Sequence, residues 1–111
     1  MVKLEYSQIV RRKLKKLRAE LTKSYGEDKS KMIISKIIKG VRRLEAFPQS
    51  GVRVSSKYDV ICDYSYIFVE HNYFFYRMRD KNTLLILEIF NEKEEMNQSR
   101  YSSSVVFEEN R

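Results

Sequence analysis

The chain contains a single proline, Pro48, and this residue separates two different patterns of apolar residues. Before it, apolar side chains recur at intervals of three and four, the period of a helix that buries one face. After it, short runs rich in Tyr, Phe, Ile and Val are bounded by turn residues, which is typical of β-strands. Because a helix cannot continue into a proline, the two patterns belong to successive parts of the fold. The sequence therefore predicts an α+β domain, with helices before a sheet.

The first part predicts a short strand over residues 1–6 and then two helices. Ser7 offers a side-chain oxygen to cap the first helix, and Gly26 suits its end. The second helix begins near Glu27 and Asp28, whose charges suit a helix start, and ends before Pro48. Helices joined by so short a connection lie antiparallel, as an α-helical hairpin. The alternating residues of the strand are Val2, Leu4 and Tyr6. The apolar stripe of the first helix is Val10, Leu14, Leu17 and Leu21. The stripe of the second helix is Ile33, Ile34, Ile37, Ile38, Val41 and Leu44.

The second part predicts an antiparallel sheet packed on the hairpin. After a loop over residues 48–56, we expect β-hairpins that turn at His71–Asn72 and at Lys81–Asn82. The first register pairs Val69 with Phe74, Ile67 with Tyr76, Phe68 with Phe75 and Tyr66 with Arg77. The second register pairs Met78 with Leu85, Tyr76 with Leu87 and Phe74 with Ile89. Both registers place one set of side chains on the core: Ile67, Val69, Phe74, Tyr76, Met78, Leu85, Leu87 and Ile89.

The opposite face of this sheet is expected to be aromatic and basic rather than polar. With Tyr64 opposite Arg79 and Tyr66 opposite Arg77, its apolar area is too large to stay in water. We therefore expect it to be covered by a partner chain, by an RNA or DNA strand, or by the protein's own tail. Its residues are Tyr64, Tyr66, Phe68, Tyr73, Phe75, Arg77, Arg79, Leu84, Ile86, Glu88 and Phe90.

Charge and composition restrict the classes of function. Residues 1–57 hold 16 Lys and Arg against 5 acids, a charge of +11, whereas residues 58–111 hold 6 against 10, a charge of −4. A basic body attracts polyanions, although a solvated helix face explains the same residues. One cysteine, Cys62, and one histidine, His71, argue against a disulfide scaffold or a metal cluster, so we expect no cofactor and no metal. The sequence shows no membrane span and no signal peptide, and a cytoplasmic protein is expected.

Two stretches carry a resemblance to a known family. LEAFPQSG, from Leu44 to Gly51, resembles the pattern that closes the second helix in the RelE/ParE superfamily of bacterial type II toxins. NYFFYRMRDKNTLLILEIFNEKEE, from Asn72 to Glu95, resembles the later strands of that family, with Tyr76–Arg77 in the middle strand. The resemblance covers residues 1–96, which we interpret as a toxin domain followed by a polar tail over residues 97–111.

The resemblance implies a toxin neutralised by a cognate antitoxin, with two branches of activity. One branch cuts messenger RNA in the ribosome, and the other poisons DNA gyrase without cleaving RNA. A toxin that binds only its antitoxin is a further alternative. Ribonuclease members line the sheet face with cations, but this chain has Tyr64, Ser65 and Tyr66 where basic residues are usual, and Asn91 where His is frequent. The enzyme hypothesis is therefore left open.

The candidate site residues follow from this comparison. In the ribonuclease reading, cations neutralise the phosphorane and a base activates the ribose 2′-OH. The candidate catalytic residues are Arg77, Arg79, Lys93 and Tyr73. The candidate RNA- or partner-binding residues are Arg53, Lys57, Tyr64, Tyr66, Phe75 and Phe90.

The tail contains one apolar run, Val105–Val106–Phe107. We expect these residues to cover apolar surface on the same molecule or on a second copy in a homodimer. The expected positions are the open face around Phe68, Phe75 and Ile86, or an exposed sheet edge that accepts an added strand.

Overall fold

The computed structural model describes residues 1–58 and 62–93. Its described elements are three helices and a five-stranded mixed sheet: the first two helices pack on one face of the sheet, and the short third helix packs on the other. The sheet order is β1-β5-β4-β3-β2, with β1 parallel to β5 and every other pair antiparallel. The elements are β1 (Lys3–Tyr6), α1 (Gln8–Tyr25), α2 (Glu27–Arg42), a 3₁₀ turn (Arg43–Glu45), β2 (Val52–Arg53), α3 (Val54–Tyr58), β3 (Ser65–Val69), β4 (Asn72–Met78) and β5 (Thr83–Asn91).

The helical hairpin forms as the sequence predicts. Ser7 Oγ accepts a hydrogen bond from the Val10 amide at 3.1 Å and so caps the first turn of α1. Gly26 separates α1 from α2 at φ 89°, a conformation that a residue without Cβ adopts at low cost. No helix within the described residues is long and apolar enough to cross a lipid bilayer.

The main core lies between this hairpin and one face of the sheet. α1 and α2 contribute Val10, Ile37 and Val41, all essentially inaccessible to water. The buried members of the core are Val10, Ile37, Val41, Leu44, Phe74, Tyr76, Leu84, Ile86 and Ile89. Burial of this apolar surface is the main force that joins the two layers.

The β3–β4 turn lies one residue earlier than predicted. Glu70 and His71 occupy it, both at positive φ (46° and 68°), and Val69 pairs with Asn72. Ile67 therefore faces Phe74 and Tyr66 faces Phe75, so the four predicted pairs of this hairpin, including Tyr66 with Arg77, are wrong. Each pairing is displaced by two residues, and an even displacement leaves every side chain on its predicted face.

A β-bulge alters the β4–β5 register. Phe74 pairs with Ile89 as predicted, but beyond Phe75 the ladder shifts, and Tyr76 pairs with Ile86. The extra residue on β5 reverses which face the earlier part of that strand presents. The predicted pairs Tyr76–Leu87 and Met78–Leu85 are therefore wrong. Leu84 and Ile86 are fully buried in the main core in place of Leu85 and Leu87, and Met78 is exposed.

The predicted loop over residues 48–56 also contains structure. Val52 and Arg53 form β2 against Tyr66 and Ser65, and α3 begins at once at Val54. Turn-rich composition concealed both elements, because neither has enough apolar residues to show a period. Their consequence is a second core on the far face of the sheet.

Candidate functional site

Five aromatic side chains cross the far face of the sheet in a continuous row. Neighbouring ring centroids are 4.8 to 6.0 Å apart, the range in which aromatic pairs attract one another. Two of these pairs are edge-to-face. We call this set the aromatic row; in spatial order it consists of Phe68, Tyr73, Tyr66, Phe75 and Phe90.

The chain itself covers most of the aromatic row. Val54, the first residue of α3, is fully buried against Tyr66, Phe75 and Phe90, which are only 5, 8 and 8 % exposed. The Lys57 ammonium of the same helix donates to Tyr66 Oη at 3.0 Å. Partly buried residues close the rest of this second core: Cys62, Tyr64 and Tyr73. The face that the sequence predicts to be open is therefore largely covered by α3, which lies within and just beyond the predicted loop over residues 48–56.

An ion pair ends the aromatic row at β5. The Lys13 ammonium lies 2.7 Å from Glu88 Oε1 and 4.5 Å from the centroid of the Phe90 ring, and it donates to the Ile89 carbonyl at 3.1 Å. Glu88 is 4 % exposed and also accepts from the Ile89 amide. β1 ends at Tyr6, opposite Ile86, so α1 covers the edge of β5 from there on. The sequence does not predict this ion pair, because Lys13 resembles the other, solvated cations of α1 in residue type.

The four candidate catalytic residues are spread along the sheet. Arg79 forms an ion pair with Glu5 of β1. Arg77, half-buried on the far face, donates to the Met78 carbonyl and has no ion pair within the described residues. Tyr73 lies at the other end of β4, opposite Phe90. Lys93 lies at the same end of the sheet, two residues after Asn91, the last residue of β5. Arg77 pairs with Leu85 of β5. Because Leu85 and Asn91 are six residues apart, about 20 Å of strand separates Arg77 from the end where Lys93 lies.

The remaining polar candidates lie at the margins of the face. Arg53 is exposed on β2 and pairs with Ser65. His71 lies in the β3–β4 turn as predicted, with Nδ1 3.1 Å from Glu92 Oε2. Burial raises the pKa of the Tyr76 phenol, and Tyr76 belongs to the main core on the opposite side of the sheet. The tail residues Val105, Val106 and Phe107 lie outside the described residues.

The comparisons with known proteins agree with this fold. A family model described as the ParE toxin of type II toxin–antitoxin systems matches residues 4–96. A solved structure, the chromosomal ParDE toxin–antitoxin system from P. aeruginosa, is similar in fold, with a TM-score of 0.68 and 16 % sequence identity. The match covers 82 % of this chain and 96 % of that one. No curated protein matches the sequence. A strand, a helical hairpin and an antiparallel hairpin sheet, with a family match over most of the length, make this chain a member of the ParE toxin family.

Proposed function

We propose that this toxin acts by binding a protein target, DNA gyrase, and not by cutting RNA. The observation that carries the proposal is the dispersal of the cations. Arg79 is neutralised by Glu5, and Arg77 and Lys93 lie near opposite ends of the sheet. A ribonuclease must bring cations and a base within hydrogen-bond distance of one phosphate. On the far face, the described residues bring together one cation and one carboxylate, Lys13 and Glu88, and these two groups neutralise each other in a largely buried ion pair.

The supply of general bases supports the same proposal. The one histidine of the chain, His71, lies six residues before Arg77, about 20 Å along β4. Tyr66 Oη accepts a hydrogen bond from the Lys57 ammonium, so this phenol oxygen already has a donor and is not positioned as a general base. The covering of the row by α3 also removes stacking surface from a nucleic acid strand, since Tyr66, Phe75 and Phe90 are buried.

A binding toxin needs only a surface that fits its target. Arg77 and Lys57 are cations near one end of the far face, while Phe68, 48 % exposed, provides apolar area at the other. We assign Arg77 to the target interface, because a half-buried guanidinium without an ion pair in the described structure can pair with a carboxylate of the partner. In the cell, a cognate antitoxin is expected to hold the toxin inactive.

The test compares two activities of the same purified protein. Expression without antitoxin should arrest bacterial growth, and the protein should inhibit supercoiling by gyrase while messages remain intact in primer extension. Arg77→Ala should relieve the arrest and raise the concentration needed for inhibition by about tenfold, the loss expected for one interface arginine. The matched control is Arg79→Ala, which removes an exposed structural ion pair and should remain toxic.

Three outcomes would contradict the proposal. Cuts within translated messages, with supercoiling unaffected, would assign the chain to the ribonuclease branch; His71, Glu92 and Lys93 at the end of the sheet would then be its candidate site. Arrest with both activities unaffected would exclude gyrase as the target. Normal growth with folded wild-type protein would indicate a chain that binds only its antitoxin.

A further inference from the structure

The outer edge of β3 is only partly paired. β2 pairs with Ser65 and Tyr66, and within residues 1–58 and 62–93 no strand continues this pairing along Ile67, Phe68 and Val69. The Val54 amide donates to the Tyr64 carbonyl at 3.0 Å, so backbone groups of the even-numbered residues point outward. The N–H and C=O of Phe68 therefore face away from β4. Natural sheets cover such an edge, because open backbone groups attract another strand.

A basic and apolar groove runs along this edge. It has a volume of about 800 Å³ and lies between β3 and α2, which approach closely at Gly40. Ile67, Phe68 and Val69 form one wall. Three exposed cations of the helical side, Lys36, Lys39 and Arg43, form the other, and none of them has an ion pair within the described residues. The groove thus offers strand hydrogen bonds, apolar surface and positive charge, with Glu70 as its one acidic lining residue.

The tail carries a segment of matching chemistry. Val105, Val106 and Phe107 are residues that favour strands, and Glu108 and Glu109 follow them directly. The apolar run is three residues long, and three residues of β3 have no outer neighbour among the strands that the structure describes. A second copy of this edge is a poorer occupant, because pairing two such edges would bring both sets of cations together.

The last described residues, Glu92 and Lys93, lie close to one end of this groove. The Glu92 amide donates to the His71 carbonyl at 2.7 Å, so the chain leaves β5 beside the turn that ends β3. β5 and β3 are separated by one strand, a distance of about 10 Å. The eleven residues 94–104 can extend to about 35 Å. A strand that enters from the turn runs antiparallel to β3 and carries its two acids toward Lys39 and Arg43.

We propose that Val105–Phe107 add to the outer edge of β3 as a sixth strand, with Glu108 and Glu109 beside Lys39 and Arg43. This strand would come from the same molecule and would extend the sheet at the edge of β3 where β2 lies. It would complete the hydrogen bonding of Phe68 and screen the cations of the groove.

Amide hydrogen exchange of the full chain, measured by NMR, tests the proposal. The Phe68 amide should exchange at least about tenfold more slowly in the full chain than in a chain that ends at Ser102, because an uncovered edge amide opens at little cost. The amides of Ile67 and Val69 point toward β4 and should not change, which provides an internal reference. Protection of Phe68 that is equal in the two chains would overturn the proposal and leave the edge to a partner protein.

A charge exchange separates this contact from a general effect of the tail. Glu108→Lys with Glu109→Lys should abolish the protection of Phe68, and adding Lys39→Glu with Arg43→Glu should restore it. The matched control is Glu94→Lys with Glu95→Lys, which should leave the protection of the Phe68 amide unchanged. Failure of the restoration, or protection that rises with protein concentration, as a second copy would cause, would each contradict the intramolecular strand.

Discussion

At the scale of single residues, Tyr76 shows how a core side chain also organises a loop. Its phenol donates to the Pro48 carbonyl at 3.0 Å and accepts from the Gly51 amide at 3.1 Å. A methyl group on Gly51 would collide with the same oxygen and lie only 2.7 Å from the Tyr66 carbonyl oxygen, so the close approach requires a glycine here. The alternation of apolar residues predicted that Tyr76 is buried, which is confirmed. The alternation does not predict the two hydrogen bonds of the phenol, because their partners, Pro48 and Gly51, are distant in sequence and come close only in the completed fold.

The first prediction concerns this phenol. Tyr76→Phe should lower the free energy of unfolding by about 1–3 kcal/mol, because the Gly51 amide and the Pro48 carbonyl lose their partner. Urea unfolding at pH 7 measures this change. A variant as stable as the wild type would show that water replaces the phenol at no cost.

The same residue makes stability depend on pH in the alkaline range. Burial raises the pKa of Tyr76 above its ordinary 10.0, and burial likewise raises that of Tyr6. The unfolded chain therefore releases these protons first, and the free energy of unfolding, constant with respect to the two phenols below pH 10, falls as the pH rises above it. In Tyr76→Phe the fall should be smaller, with the remainder due to Tyr6.

At the scale of elements, the sheet shows which errors of register matter. The turn at Glu70–His71 displaced the predicted pairing by two residues, and Ile67 and Phe74 still face the helices. The bulge on β5 shifts the β4–β5 pairing by one residue relative to the predicted register. Leu84 and Ile86 therefore face the helices where the sequence predicts Leu85 and Leu87. No glycine marks the bulge, and every residue from Leu84 to Leu87 is aliphatic. Alternation alone could therefore not locate it.

The second prediction distinguishes the two registers of β5. Ile86→Ala should destabilise the protein by about 2–5 kcal/mol, because it opens a cavity in the main core. Leu87→Ala removes a half-buried side chain and should cost less than about 1 kcal/mol. Both values follow from urea unfolding. Equal costs, or a larger cost at Leu87, would indicate a ladder without the bulge.

The covering helix was the least predictable element. α3 has the sequence VSSKY, in which Val54 is fully buried but Ser55, Ser56 and Lys57 are not, so no period of apolar residues marks it. A helix this short is stable only through its tertiary contacts. By contrast, α1 and α2 have long apolar stripes and clear end signals, and their predicted boundaries are confirmed to within a few residues. For the site, the residue types of the far face were predictable, but their covering by α3 and the Lys13–Glu88 ion pair were not.

At the scale of the whole molecule, positive charge is concentrated on the helical layer. α1 carries exposed cations that form no ion pair within the described part of the chain: Arg11, Arg12, Lys15, Lys16, Arg18 and Lys23. Such a surface attracts any polyanion, whatever the target of the toxin. It also favours encounter with any acidic protein partner.

The third prediction tests this surface with heparin. Replacing Arg11, Lys15 and Arg18, which form one row on α1, by Glu should lower the salt concentration at which the protein elutes from a heparin column. The slope of log K against log salt should decrease by about one per lost contact. The control carries the same change of charge at positions outside α1, Lys3→Glu, Lys31→Glu and Lys81→Glu, and should elute later than the row variant. Identical elution of the two variants would mean that only net charge matters.

The parallel pairing of β1 with β5 has a consequence for the order of events during synthesis. Lys3 of β1 pairs with Thr83 of β5, so β1 meets its partner only after the helices and the strands β2 to β4 have been made. The helical hairpin has local contacts and can form early, whereas closure of the sheet requires contact between segments 80 residues apart. At 5–20 residues per second, this delay is about 4–16 s. The sheet therefore closes only after β5 has been made, so synthesis of this strand, and not of the helical hairpin, sets the time at which the toxin fold can form.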